Sequence, residues 1–270
     1  RPEAAYVSSA DLGESPKDVA ARMAQALGFD LAARANCRTW EEALRLFVGQ
    51  AEEVGVLVMV SGVVLSNNRR VLDPDEFRGF ALADKYAPLV FINGADTKSG
   101  QMFTLAHELA HIWLGTSAVS DASAAPLKGH RREEVWCNAV AAELLVPLMA
   151  LRPELRSNES LDQSLPRLAR HFKVSTLVIL RRLFDAGVLT RSAFDRAWAS
   201  ERARLRALAS AGAGGNFYRT TLARVGRRFA RALVESTLEG QTLYRDAFRM
   251  LGVSNTATFN NIGREVGMML

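Results

Sequence analysis

Gln101-Met-Phe-Thr-Leu-Ala-His107-Glu108-Leu-Ala-His111-Ile-Trp-Leu114 is the stretch on which the reading of this chain turns. Met102, Phe103, Leu105, Ala106, Leu109, Ala110, Ile112 and Trp113 make it apolar almost all round, as a buried helix is. Four residues advance about 400° along an α-helix, so His107 and His111 project from one face about 40° apart. Two imidazoles so placed can reach one zinc ion at about 2.0–2.1 Å. Glu108 lies about 60° from His111 around the same helix. There its carboxylate is better placed to touch the hydrolytic water than the ion, which is what a general base requires. Buried polar side chains need partners, so a chance pair of helix histidines is the weaker explanation.

A catalytic zinc needs a third protein ligand and an open position. Only two other histidines exist, His130 and His171, and a ligand six residues after His111 would be Ser117. A glutamate from a following helix is the other solution. Glu133 and Glu134 open a helix expected over Arg132 to Leu145, which stops before Pro147. Glu134 is the chosen third ligand, Glu133 its nearest rival and His130 the next. Asn138 follows Glu134 by four residues and shares its face, from where it can orient a ligand. The competing explanation is that the two acids simply favour a helix N-terminus. Cys137, three residues after Glu134, reads as a small buried filler rather than a thiolate ligand.

Outward from these helices the chain divides into four stretches. Residues 1–53 read as helical. Ser15-Pro16 starts one helix, and Thr39 caps a second from Trp40 to Glu53, with Glu42 completing a capping box. Residues 54–150 hold the candidate catalytic core. Its strands are Val54 to Val60, Phe77 to Ala83, and Pro88 to Asn93, the last marked by Pro88 as an edge or a strand beginning. A turn is expected at Asn67-Asn68 and a long loop over Gly115 to Arg131. Substrate backbone is expected to pair along the Leu89 to Ile92 edge as an added strand. His130 and Tyr86 are the candidate oxyanion donors.

Residues 151–209 read as a helix-turn-helix-like module: Leu165 to Phe172, a Lys173-Val174-Ser175 turn, then Thr176 to Asp185. Arg167, Arg170, Lys173, Arg181 and Arg182 surround it, and a DNA reader would place Thr176 to Leu183 in the major groove. Val178, Leu180 and Leu183 look like core, so a module packed on the candidate catalytic core or holding a protein is favoured over a DNA reader. Residues 210–270 follow a small-residue linker, Ala209 to Gly215, with amphipathic stretches at Thr221 to Leu238 and Gln241 to Leu251. The fold class is therefore α+β, a small mixed sheet with two ligand helices followed by helical regions.

At 270 residues the chain is long enough to bury a substantial core, and 49% hydrophobic with 23% charged residues excludes a disordered or collagen-like chain. It contains no run of about 18 uncharged apolar residues. Charge is uneven: residues 1–150 carry −5 and residues 151–270 carry +10. A basic half can attract nucleic acid or an acidic partner, although arginine also simply solvates helices. Cys37 and Cys137, a hundred residues apart, suit free thiols in a reducing, cytoplasmic setting. The first methionine is Met23, so a longer natural chain is expected upstream.

Phe103-Thr-Leu-Ala-His107-Glu-Leu-Ala-His111, followed by Glu134-Val-Trp-Cys-Asn138-Ala-Val-Ala-Ala-Glu-Leu-Leu-Val-Pro147, resembles the ImmA/IrrE family of bacterial metallo-endopeptidases. Phe77-Arg-Gly-Phe-Ala-Leu, Leu89-Val-Phe-Ile-Asn93 and Gly215-Asn-Phe-Tyr extend the resemblance over residues 35–260. Cys137 departs from it, since the family has alanine beside the asparagine. The resemblance implies a zincin-like, gluzincin-type fold. His107, His111 and Glu134 would hold one zinc ion, with manganese as the alternative, and Glu108 would activate water. It also implies a protein substrate, an Xre-type helix-turn-helix repressor of mobile-element or stress genes. A DNA-binding regulator or antitoxin-like module that holds metal without turnover is the alternative function.

Overall fold

The computed structural model describes residues 2–64, 67–121, 130–208 and 217–268. For residue 68 and residues 118–121, 130–131, 206–208 and 217–220 the description is of the backbone alone.

The N-terminal third is helical: α1 (Pro16–Leu27), α2 (Leu31–Ala35) and α3 (Trp40–Glu53). Thr39 Oγ1 accepts from the Glu42 amide at 3.2 Å, while the Glu42 carboxylate reaches back to the Arg38 amide at 2.7 Å, one residue beyond a standard capping box. The strands are β1 (Leu57–Ser61), β2 (Val63–Val64), β3 (Asn67–Val71), β4 (Phe77–Leu82), β5 (Leu89–Asn93) and β6 (Ala118–Asp121). β2 and β3 form a small antiparallel pair whose connecting residues, 65–66, lie outside the described residues. Asn67 itself opens β3.

The main sheet runs β1-β5-β4-β6. β5 pairs parallel with β1, Val58 opposite Val90, and antiparallel with β4, Ala81 again opposite Val90. β5 is thus an interior strand, which corrects the expectation of an edge at Leu89 to Ile92. Pro88 lies just outside the strand, and its carbonyl accepts from the Leu57 amide at 2.8 Å, so its missing N–H costs no ladder bond. The edges of this sheet are β1 and β6, and among the described residues β6 pairs only with β4, antiparallel. β6 falls within the stretch expected to be a loop.

Val58, Gly79, Ala81, Val90 and Ile92 are buried on the face that receives α4 (Lys98–Leu114). The opposite face carries a ladder of half-buried aromatics, with Phe80 and Phe91 stacked at 5.3 Å. Thr97 caps α4 by accepting from the Gly100 amide, and Gly115 ends it in a left-handed conformation, φ 78°. The backbone of residues 8–10 straps the far end, the Ser8 and Ala10 amides donating to Ile112 and Trp113 carbonyls.

Next come α5 (His130–Leu145), α6 (Leu148–Leu151), α7 (Leu161–Phe172), α8 (Thr176–Asp185) and α9 (Arg191–Leu208). One continuous apolar core runs from Val7 through Phe194, so the expected divisions at residues 53 and 150 are not breaks in packing. α7 and α8 meet at Lys173 in a left-handed conformation, and Val178, Leu180 and Leu183 are buried as the core reading required. Three of the four arginines there are paired within the chain, and Arg170 is exposed. Arg167 pairs with Glu154 and Glu159, Arg181 with Asp185, and Arg182 with Glu143 and Asp185.

The C-terminal helices α10 (Phe217–Val225), α11 (Arg227–Leu238), α12 (Tyr244–Leu251) and α13 (Thr256–Glu265) have a second core, including Leu222, Val234, Leu251, Phe259 and Ile262. Gly226, at φ 79°, breaks what the sequence suggests is one helix. It packs on β1 so tightly that a Cβ would lie 2.6 Å from the Val58 carbonyl oxygen. Glu52 completes the junction: it accepts from the Arg228 amide at 3.1 Å, capping α11 from a different helix. The Ala209 to Gly215 linker lies outside the described residues.

Candidate metal centre

α4 and α5 lie against each other across the core. His107 and His111 are buried on α4, and Glu134, about one-third exposed, faces them from the first turns of α5. The Nε2 atoms of the two histidines are 3.1 Å apart. Glu134 Oε2 is 3.2 Å from His107 Nε2, and Oε1 is 3.3 Å from His111 Nε2. A tetrahedron with arms of about 2.0–2.1 Å has edges of roughly 3.3–3.4 Å. Two imidazole nitrogens and a carboxylate arranged on nearly that edge length fit a zinc-sized ion. They are the one such group of three among the described residues.

Without an ion the same arrangement is electrostatically charged with consequence. Burial raises the cost of ionising Glu134, but hydrogen bonds from His107 and His111 outweigh it and hold the carboxyl far below the usual carboxylate range. The second nitrogens of the two rings differ. His111 Nδ1 is 2.9 Å from Thr116 Oγ1, whereas His107 Nδ1 is buried with no hydrogen-bond partner among the described residues.

Glu108 is fully buried and stands outside the triad, turned against β4. The absence of a side chain at Gly79 makes room for it: a Cβ there would be 3.3 Å from Glu108 Oε1 and 2.7 Å from Thr104 Cγ2. Glu133 is half-buried at the start of α5 and does not join the group. Cys137 is fully buried, and burial followed by the charge of Glu134 pushes its thiol up, as befits a filler. Asn138 is exposed and makes no hydrogen bond to Glu134 among the described residues. Tyr86 is half-exposed, and its hydroxyl donates to Glu3 Oε1 at 3.0 Å rather than to the triad. The His130 side chain lies outside the described residues.

Two buried arginines anchor the carboxyl end of α5. Arg34 donates from Nη2 to the Leu145 carbonyl, and Arg182 donates from Nε to the Val146 carbonyl at 2.8 Å and from Nη2 to Glu143. Cations suit a helix C-terminus. Burial pulls Arg34 down to about 9. Sequence reasoning missed Arg34, Thr116 and the role of Gly79, and read Arg182 only as part of the basic surround of the helix-turn-helix-like stretch. The Gly79 signal was available as a glycine inside a strand pattern, which marks close approach by another element.

Two imidazoles and a carboxylate converging from adjacent helices define a candidate divalent-metal centre next to a mixed sheet. Residues 51–184 match the family model of the IrrE N-terminal-like domain, and the chain carries this M78 peptidase-family domain over that span. Both ligand helices, the sheet, α7 and most of α8 fall inside it. Residues 225–265, which include α11 to α13, match a separate domain of unknown function (DUF8813). No curated protein matches the chain.

Proposed function

We propose that the chain is a zinc-dependent endopeptidase that cuts a regulatory protein, with an Xre-type helix-turn-helix repressor as the substrate. The observation that carries this reading is the convergence of His107, His111 and Glu134 within a peptidase-family domain. A divalent ion bound there supplies Lewis acidity, polarising the scissile carbonyl and making water acidic enough to attack near neutral pH. Glu108 takes the proton from the attacking water and returns it to the leaving amine. Its burial against β4 keeps the carboxylate away from bulk water. Manganese is the alternative ion.

The substrate backbone lies along the β6 edge, in place of the interior strand β5. β6 is the segment that follows α4 shortly after His111, and among the described residues it pairs only with β4, which suits its other edge to an added strand. The setting is cytoplasmic, where Cys37 and Cys137 remain thiols. No single helix among the described residues is long and apolar enough to cross a membrane. The α7–α8 connection supports a DNA-binding reading only weakly, because three of its four arginines, Arg167, Arg181 and Arg182, are engaged internally.

The test is elemental analysis of the purified chain, then incubation with an Xre-type repressor encoded beside it, with and without chelator. One zinc per chain and chelator-sensitive cleavage are expected. Glu108→Gln should keep the metal and lose about 10²-fold or more in turnover. A chain that binds no divalent metal, or cleavage that survives metal removal, refutes the reading.

A further inference from the structure

We propose that Thr116 is a positioning residue for the metal centre: its hydroxyl fixes the ring of His111 and accepts its Nδ1–H, leaving the Nε2 lone pair for the ion. The inference rests on the metal-centre reading above and assigns a role to a residue outside the ligand set. A neutral imidazole carries one N–H, and the partner of one nitrogen decides what the other can do. Thr116 Oγ1 lies 2.9 Å from His111 Nδ1. The other nitrogen faces His107 Nε2 at 3.1 Å and Glu134 Oε1 at 3.3 Å. With the proton on Nδ1 and shared with Thr116, Nε2 points an unprotonated lone pair at the centre of the triad.

Thr116 is held there by its backbone, independently of the hydroxyl. Its amide donates to the His111 carbonyl at 3.0 Å, and the preceding Gly115 takes the left-handed conformation that ends α4. The following residue, Ser117, accepts from the Ala83 amide at 3.1 Å, and Ala118 then pairs with Ala81. The turn is thus tied to the helix on one side and to the sheet on the other. A hydroxyl is suited to this place because it can accept or donate. It donates to Nδ1 when the His111 proton sits on Nε2 facing Glu134, and accepts from Nδ1 when an ion takes Nε2.

The two histidines are consequently unequal. His107 has no such acceptor among the described residues; its ring meets those of His111, at 4.8 Å between centroids, and Phe103, at 6.4 Å. Among the described residues, the one hydrogen bond that reaches the pair from outside the triad falls on His111.

The experiment is zinc and cobalt affinity of the full chain by competition with a chelator, together with thermal unfolding of the metal-free forms. Thr116→Val keeps the shape and every backbone bond of the turn but removes the hydroxyl. It should weaken metal binding by about 10- to 100-fold, as loss of an outer partner of a ligating histidine does elsewhere. The metal-free Tm should stay that of the parent. Thr116→Ser should restore the affinity. In ¹⁵N imidazole spectra of the zinc-loaded parent, His111 should carry an exchange-protected Nδ1–H that Thr116→Val loses. If the parent binds zinc and Thr116→Val binds it as tightly, the role of Thr116 is overturned while the metal centre stands. If affinity and metal-free Tm fall together and serine does not rescue, Thr116 is merely structural and the proposal is again overturned. If the parent binds no zinc, the underlying reading fails and this inference with it.

Discussion

Gly79→Ala tests how closely the sheet and the α4 helix enclose Glu108. The added Cβ would stand 2.7 Å from the Phe91 carbonyl oxygen, 2.7 Å from Thr104 Cγ2 and 3.3 Å from Glu108 Oε1. The first of these is backbone of the neighbouring strand, and the second is a branched side chain on a buried turn of α4, so neither can rotate away. Ordinary contact begins at 3.4 Å, so β4 and α4 must separate by several tenths of an ångström. Overpacking of this kind costs about 1–3 kcal/mol. For a chain of this size each kcal/mol lowers Tm by about 2–4 °C. The separation falls on the carboxylate assigned to proton transfer, and a misplacement approaching about 1 Å can cost on the order of 10² in rate. Thermal unfolding, zinc content and turnover of the repressor substrate are the measurements. The expected variant folds, melts several degrees lower and turns over far more slowly. A variant with parental Tm and parental turnover would refute the close enclosure of Glu108.

Removing the metal should lower Tm, because an ion that binds only the folded chain stabilises it by mass action, and calorimetry with and without chelator reads the difference. Glu143→Ala leaves the buried Arg182 guanidinium with Asp185 and the Val146 carbonyl only. Loss of one partner from a buried pair costs roughly 3–5 kcal/mol, here towards the lower end because Asp185 remains, and urea unfolding checks it. Glu52 is raised above its ordinary value of 4.5 by burial, against the lowering effect of the Arg228 amide and nearby arginines. The folded chain therefore holds this proton more tightly than the unfolded one, and the contribution falls as pH rises from about 4.5 through the raised value. Glu52→Gln should flatten that part of the stability–pH profile measured by denaturant unfolding; an unchanged slope would contradict it.

The elements whose residues carry a period or a cap were legible in the sequence. α3 was readable from Thr39 and Glu42, and α8 matches its expected bounds, Thr176 to Asp185. The ligand helices were readable because histidines and acids on apolar helices demand a reason. β6 was not legible: a four-residue strand, Ala118 to Asp121, with a single β-branched residue has no pattern distinct from a loop. α7 begins four residues earlier than expected, at Leu161, where Ser160 and Gln163 form a capping box, and it carries Pro166 inside it. Gly226 was invisible as a break because a lone glycine is tolerated in a helical pattern, and only its approach to β1 demands the positive φ. Interior placement of β5 could not be read either, since pairing partners are set by tertiary assembly rather than by the strand. At the site, spacing gave His107, His111 and Glu134. Thr116 lies in a turn where nothing local marks a hydroxyl as facing an imidazole.

The junction at Gly226 has a consequence for any shortened version of this molecule. α10 and α11 cover the outer rim of β1, with Gly226 seated against the Val58 carbonyl. Cut away after α9, the chain would present a bare row of amides and carbonyls beside Leu57 to Ser61, and strands of that kind recruit one another. The terminal helices thus act as a stopper as well as a separate module. A fragment ending near residue 208 should clump at concentrations where the whole chain stays dispersed, for reasons unrelated to its chemistry.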